Sequence, residues 1–137
     1  MKIRDLMSRD VQVALPADTV QAAAHRMGAG DFGFIPVAEA DRLVGTLTDR
    51  DIAVRVTGAG KPPSTPVSEA MTTEVVTVLD TDDLKVALDA MSGGKIRRLP
   101  VVDKHGRLVG VVSLGDLSTK VKEKYAGEAL ETISRPG

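Results

Sequence analysis

Apolar and polar positions change their spacing twice within the first third of the chain. Val11-Gln12-Val13-Ala14-Leu15 alternates as a half-buried strand does, with side chains pointing to opposite faces in turn. From Val20 the spacing lengthens. Val20, Ala23, Ala24 and Met27 recur at i, i+3, i+4 and i+7, the apolar stripe of a helix. Asp18 and Thr19 supply N-cap chemistry before that stripe, and Gly28 and Gly30 end it. Two β-rich runs follow, Phe34 to Ala38 and Leu43 to Leu47, with Asp41-Arg42 as the turn signal of a hairpin. A short helix over Ile3 to Met7 precedes the unit, and another starts near Thr48-Asp49. The predicted order is helix-strand-helix-strand-strand-helix.

The same order then returns. Val75 to Leu79 reads as the strand and Asp82 as the cap. Leu84, Ala87, Leu88 and Met91 form the stripe, which ends at Gly93-Gly94. Arg98 to Val102 and Leu108 to Val112 form the hairpin around Lys104-His105-Gly106, and Ser113 opens the last helix. The register holds across both copies: Met7 matches Met71, Leu15 matches Leu79, Met27 matches Met91 and Pro36 matches Pro100 at one constant offset. A single inserted residue near His105 lengthens the offset by one, so that Gly45 matches Gly110 and Asp51 matches Asp116. Two copies are too few for a solenoid. The expectation is a pseudo-twofold pair sharing one core, each unit a small three-stranded sheet packed with helices. This places the chain in the mixed α/β (α+β) class. The expected organisation is a first unit over 1–57, a Gly/Pro/Ser-rich linker over 58–65, a second unit over 66–121, and a helical or flexible tail over 122–137.

Composition narrows the functional classes. The 137 residues include no cysteine, which excludes disulfides and thiolate metal sites. A formal net charge of −1 offers no general attraction to nucleic acid or anionic membrane, and aromatics at 2% leave little stacking surface for single strands. No apolar run approaches membrane-spanning length, and the first residues lack a signal-peptide core, so a cytoplasmic location without membrane association is expected.

The chemistry concentrates in Gly45-Thr46-Leu47-Thr48-Asp49-Arg50-Asp51 and its partner Gly110-Val111-Val112-Ser113-Leu114-Gly115-Asp116. Both read Gly-x-x-[Thr/Ser]-x-x-Asp at a strand-to-helix junction. Helix capping alone accounts for either motif taken singly. The same geometry suits a nucleotide: helix N-termini offer N–H groups to an anion, and a carboxylate one turn along can accept both ribose hydroxyls.

Several segments resemble a CBS (cystathionine β-synthase) domain pair of the standalone bacterial kind, over about residues 1 to 121. They are Asp5-Leu6-Met7 with Glu69-Ala70-Met71, Ile35-Pro36-Val37 with Leu99-Pro100-Val101, Leu43-Val44-Gly45 with Leu108-Val109-Gly110, and the two hydroxyl–acid motifs. The resemblance implies a regulatory module that binds AMP, ADP or ATP, with S-adenosylmethionine ranked lower, in clefts between the motifs. It implies no required cofactor and no catalytic or metal residue. In one implied site, Asp51 holds ribose and Thr48 adds its hydroxyl, while Arg97 and Arg98 meet phosphate from across the cleft. In the other, Asp116 and Ser113 take those roles, opposite Asp31-Phe32-Gly33-Phe34-Ile35-Pro36. That stretch has no basic residue, so the second cleft is expected to lack its arginines. The resemblance also implies a homodimer and an effector protein whose identity stays open.

Three rival classes remain. An enzyme would need more than His25 and His105, which match no triad or metal-ligand spacing. Nucleic-acid binding would use the basic second hairpin, with Lys95, Arg97, Arg98, Lys104 and Arg107, and Lys120, Lys122 and Lys124 beyond it. A purely structural dimerisation module would leave its clefts empty. The first two rank below nucleotide binding.

Overall fold

The computed structural model describes residues 1–93 and 96–123. A 3-10 turn over Ile3–Asp5 leads into the first unit. There α1 (Val20–Gly30) precedes the antiparallel hairpin of β1 (Phe34–Glu39) and β2 (Arg42–Thr48). The chain passes through α2 (Asp49–Asp51), which continues as a π-helical turn over Ile52–Thr57, and then α3 (Val67–Ala70). The second unit holds β3 (Val78–Leu79), α4 (Leu84–Met91), β4 (Arg98–Val102), β5 (Leu108–Ser113) and α5 (114–123). Gly94, Lys95 and the expected tail beyond residue 123 lie outside the described residues.

Only the second sheet has its three strands, in the order β3-β4-β5 with β3 parallel to β4. In the first unit the expected strand over Val11 to Leu15 shrinks to one parallel bridge, Ala14 to Val37. One proline explains the difference. The Ala14 N–H donates to the Pro36 carbonyl and the Ala38 N–H donates to the Ala14 carbonyl. On one side the next donor would be Pro36, as it is Pro100 in the second unit; on the other it would be Pro16, and proline has no N–H to give. In the second unit Asp80 stands where the first has Pro16, and its N–H continues the ladder to the Val102 carbonyl at 3.0 Å.

Helix starts follow the expected chemistry with one correction. Thr19 caps α1 by accepting the Ala22 N–H. For α4 the cap is Asp83, which accepts the Lys85 N–H; Asp82 instead accepts the Leu79 N–H at 2.9 Å. Asp18 does the same for Leu15 at 2.8 Å, so Asp82 is the counterpart of Asp18 and closes the turn before the helix.

Two clusters of buried side chains replace the single shared core expected from the sequence. Each contains the leading segment of the other unit. Ile3, Leu6 and Met7 pack with Val78, Ala87, Leu99, Val101, Val112 and Leu117 of the second unit. Val67 and Ala70 of α3 pack with Val20, Met27, Ile35, Val37, Leu47 and Val56 of the first. Backbone hydrogen bonds fix the exchange symmetrically. Ile3 N–H donates to the Asp82 carbonyl and Val67 N–H to the Asp18 carbonyl. Ser8 and Val111 exchange a reciprocal pair of bonds, as do Thr46 and Thr72. Fully burying an aliphatic chain such as Leu6 or Ile3 contributes roughly 1.5–3 kcal/mol, so each exchanged segment ties the halves together substantially.

Candidate functional site

The two helix starts facing the units' boundary are built alike. β2 delivers Thr48 to the N-cap of α2, where its hydroxyl accepts the Asp51 N–H at 3.1 Å. The Asp51 carboxylate returns the bond, accepting the Thr48 N–H at 3.0 Å, which completes a capping box. At the start of α5, Ser113 Oγ accepts the Asp116 N–H at 3.0 Å. The helix starts are also held to the neighbouring hairpin strand. Asp49 N–H donates to the Gly33 carbonyl at 3.0 Å, and Leu114 N–H to the Arg97 carbonyl at 2.8 Å. The capping role derived from the sequence is therefore real in both copies, and complete in the first.

Beside each start opens a cleft. The first, about 460 Å³, is bordered by Thr48, Asp49 and Arg50, by Glu74 to Val76, and by Ile96 to Arg98 of the other unit. The second, about 310 Å³, is bordered by Ser113 and Asp116, by Asp10 to Gln12, and by Phe32, Phe34 and Arg98. These volumes fall in the range of small-molecule sites, about 300–1,000 Å³. The linings correspond position by position under the repeat: Glu74, Val75 and Val76 match Asp10, Val11 and Gln12, and Ile96 matches Phe32. The clefts are thus pseudo-twofold copies of one site.

Of the residues singled out from sequence, Thr48, Arg97 and Arg98 meet in the first cleft, and Ser113 and Asp116 in the second. Asp51 is set back. Its side chain is 14% exposed, and one oxygen lies 3.4 Å from the Thr72 hydroxyl and 4.0 Å from Arg55 Nε. Arg55 is itself anchored, donating to the Met71 carbonyl at 3.0 Å beyond the end of α3. Asp116 is exposed at the rim, and among the described residues its carboxylate accepts no hydrogen bond. The expectation that the second cleft lacks arginine fails, because Arg98 borders both. Its strand explains this: Arg98 opens β4 directly opposite Ser113, between the two openings. Phe34, its pseudo-twofold partner, sits opposite Thr48 and also borders both clefts.

Sequence reasoning, which looks to the first strands near Val13 and Thr77 for contacts to the base, does not extend to the stretches 8–12 and 72–76 that form the cleft walls. It assigned Val11 and Val75 to strands, whereas the backbone there runs between the exchanged segment and the short sheet. Their matched positions between Met7 or Met71 and the strand were the available signal. His25 and His105 are exposed and far apart in the chain, and among the described residues no cluster of three His, Cys, Asp or Glu is placed for a metal. Arg42 and Arg107 pair across the hairpin tips, while Lys95 and Lys124 of the basic set lie outside the described residues. No helix among the described residues is long and apolar enough to cross a membrane.

Two repeated α/β units, joined by exchanged leading segments and enclosing two equivalent clefts, define a tandem ligand-cleft module. The chain belongs to the CBS-domain family, whose model matches residues 3–58 and 67–123. It is 44% identical over 133 residues to the CBS domain-containing protein YhcV of Bacillus subtilis, covering 96% of this chain and 94% of that protein. Among solved structures it is similar to a putative acetoin utilization protein (AcuB) from Vibrio cholerae. The TM-score there is 0.83 at 31% identity, covering 99% of this chain and 98% of that one. It is also similar to the CBS domain pair of protein MJ0100 in complex with 5′-methylthioadenosine and S-adenosyl-L-methionine. That match has a TM-score of 0.78 at 26% identity, covering 90% and 98% of the respective chains.

Proposed function

We propose that this chain is a regulatory module that binds adenosine-containing ligands in its two clefts and relays their occupancy to a protein partner. One observation carries the reading: in each cleft a hydroxyl–acid helix start of one unit faces β4 or β1 of the other, with arginine on the boundary between them. The apolar wall of Val75, Val76 and Ile96 suits a flat base, and Arg97 and Arg98 suit phosphate oxygens, which guanidinium binds bidentately. Thr48 and Ser113 supply hydroxyls. Asp116 supplies a rim carboxylate for ribose, and Asp51 supplies one once the ribose replaces the Thr72 hydroxyl as its donor. The adenosyl ligands of the MJ0100 pair support the same ligand class. Occupancy changes a partner surface because each cleft lies between units, so a ligand that prefers a closed cleft shifts the balance of open and closed forms.

Isothermal titration with AMP, ADP, ATP and S-adenosylmethionine is expected to reveal a micromolar-class ligand, with the melting temperature rising by mass action. Asp116→Ala should weaken occupancy of the second cleft. No melting shift with any of these compounds at millimolar concentration would end the reading. Light scattering on the same samples reports the expected homodimer, and a monomer mass at every ligand level would exclude a second copy as the partner.

A further inference from the structure

Arg98 is the only arginine that borders both clefts among the described residues, and the charges around it are unequal. The first cleft sets Arg50, Arg97 and Arg98 against Asp49 and Glu74. The second sets Arg98 alone against Asp10 and Asp116. The pseudo-twofold counterpart of Arg98 is Phe34, which also borders both clefts but has no donor, so the repeat supplies no second receptor. Arg98 is exposed at the start of β4, and neither Arg97 nor Arg98 makes an ion pair among the described residues. Its guanidinium is therefore not committed to a protein carboxylate.

We propose that Arg98 is one phosphate receptor shared by two clefts, so that a phosphorylated ligand in the first opposes a phosphorylated ligand in the second. This rests on the adenosine-ligand reading above. The more cationic first cleft fills first and recruits Arg98. The second cleft is then bordered by Asp10 and Asp116 without a counter-charge, and a phosphate dianion there meets repulsion. A neutral adenosine does not. The module accordingly takes one phosphorylated nucleotide per chain at low concentration and keeps its second cleft for an uncharged or cationic adenosyl compound. Arg98 is thus the residue that sets specificity between the clefts.

The test is a site-resolved titration of the full chain, following backbone amide shifts of Thr48 and Val76 for the first cleft and of Val11 and Val111 for the second. With AMP, the second cleft should fill at least about tenfold more weakly than the first, the loss of one charge-assisted hydrogen bond. Arg97→Glu changes a residue that borders the first cleft alone. It should weaken AMP there and tighten AMP in the second cleft about tenfold, because Arg98 is released. The double variant Arg97→Glu/Arg98→Gln should lose that gain, and adenosine should bind the second cleft equally in the unsubstituted protein and in Arg97→Glu. An unchanged second-cleft constant for AMP in Arg97→Glu overturns the sharing while leaving nucleotide binding intact. If neither AMP nor adenosine moves any of these amides, the ligand reading falls and the sharing falls with it.

Discussion

Gly45 and Gly110 begin the motifs that drew attention in the sequence, yet their own task is packing. A Cβ on Gly110 would stand 2.7 Å from the Ser8 carbonyl oxygen and 2.8 Å from Met7 Sδ. On Gly45 it would stand 2.9 Å from the Thr72 carbonyl oxygen and 2.7 Å from Met71 Sδ. In each case the nearest backbone belongs to the exchanged segment, which also pairs with β5 or β2. Gly110→Ala and Gly45→Ala should each destabilise the protein by about 1–3 kcal/mol, as overpacking against fixed backbone does. Denaturant unfolding checks this, and an unchanged midpoint in both variants would show that the segments yield freely. At this scale the sequence was partly legible. The Thr48 and Asp51 pairing followed from capping chemistry, since both partners are close in the chain. The glycine requirement did not, because the atoms that demand it lie in the other half.

Hairpin turns show how elements absorb the one inserted residue. In the first unit Ala40 and Asp41 form a two-residue turn with both in the left-handed region, at φ 49° and 67°. In the second the loop is longer. Asp103 Oδ1 accepts the His105 N–H at 2.8 Å and the Arg107 N–H at 3.0 Å, and Gly106 takes φ 78°. The Arg107 N–H, foremost, and that of His105 hold the Asp103 carboxyl below its ordinary value of 3.8. A carboxylate with a depressed folded-state pKa contributes stability that is present above 3.8 and is lost as pH falls through the lower folded value. Melting temperature should therefore decline on acidification below 3.8, and Asp103→Asn should flatten that part of the profile. A slope unchanged by the substitution would place the acid sensitivity elsewhere. Hairpins and helices were readable because periodicity and turn residues are local signals. The lost strand near Ala14 was not read, because it depends on Pro16, whose missing N–H matters only where it would meet the Ala38 carbonyl across a pair of strands.

For the molecule as a whole, the exchange of leading segments governs cooperativity. Leu6 is 1% exposed and belongs to the buried cluster of the second unit, although it precedes the first. Leu6→Ala should cost about 2–5 kcal/mol. Its local signature is a greater loss of hydrogen-exchange protection in β4 and β5, at Val101 and Val112, than in β1 and β2, at Val37 and Leu47. Equal loss in both hairpins would mean that the two clusters open only together. The repeat made the number and order of elements legible, along with the two-cleft symmetry. It could not reveal which copy receives which leading segment, since both arrangements have the same sequence pattern.

The exchange also dictates an order of events during synthesis. Ile3 and Leu6 emerge well before their hydrogen-bonding and packing partners, which run from Val78 to Leu117. The first unit meanwhile awaits Val67 and Ala70 to fill its own cluster. At about 5–20 residues per second, the opening segment stays unsheltered on the ribosome for on the order of several seconds. During that time a nascent neighbour on the same message carries the same unfilled groove and the same loose segment, which makes the opening residues the point where two growing chains would entangle.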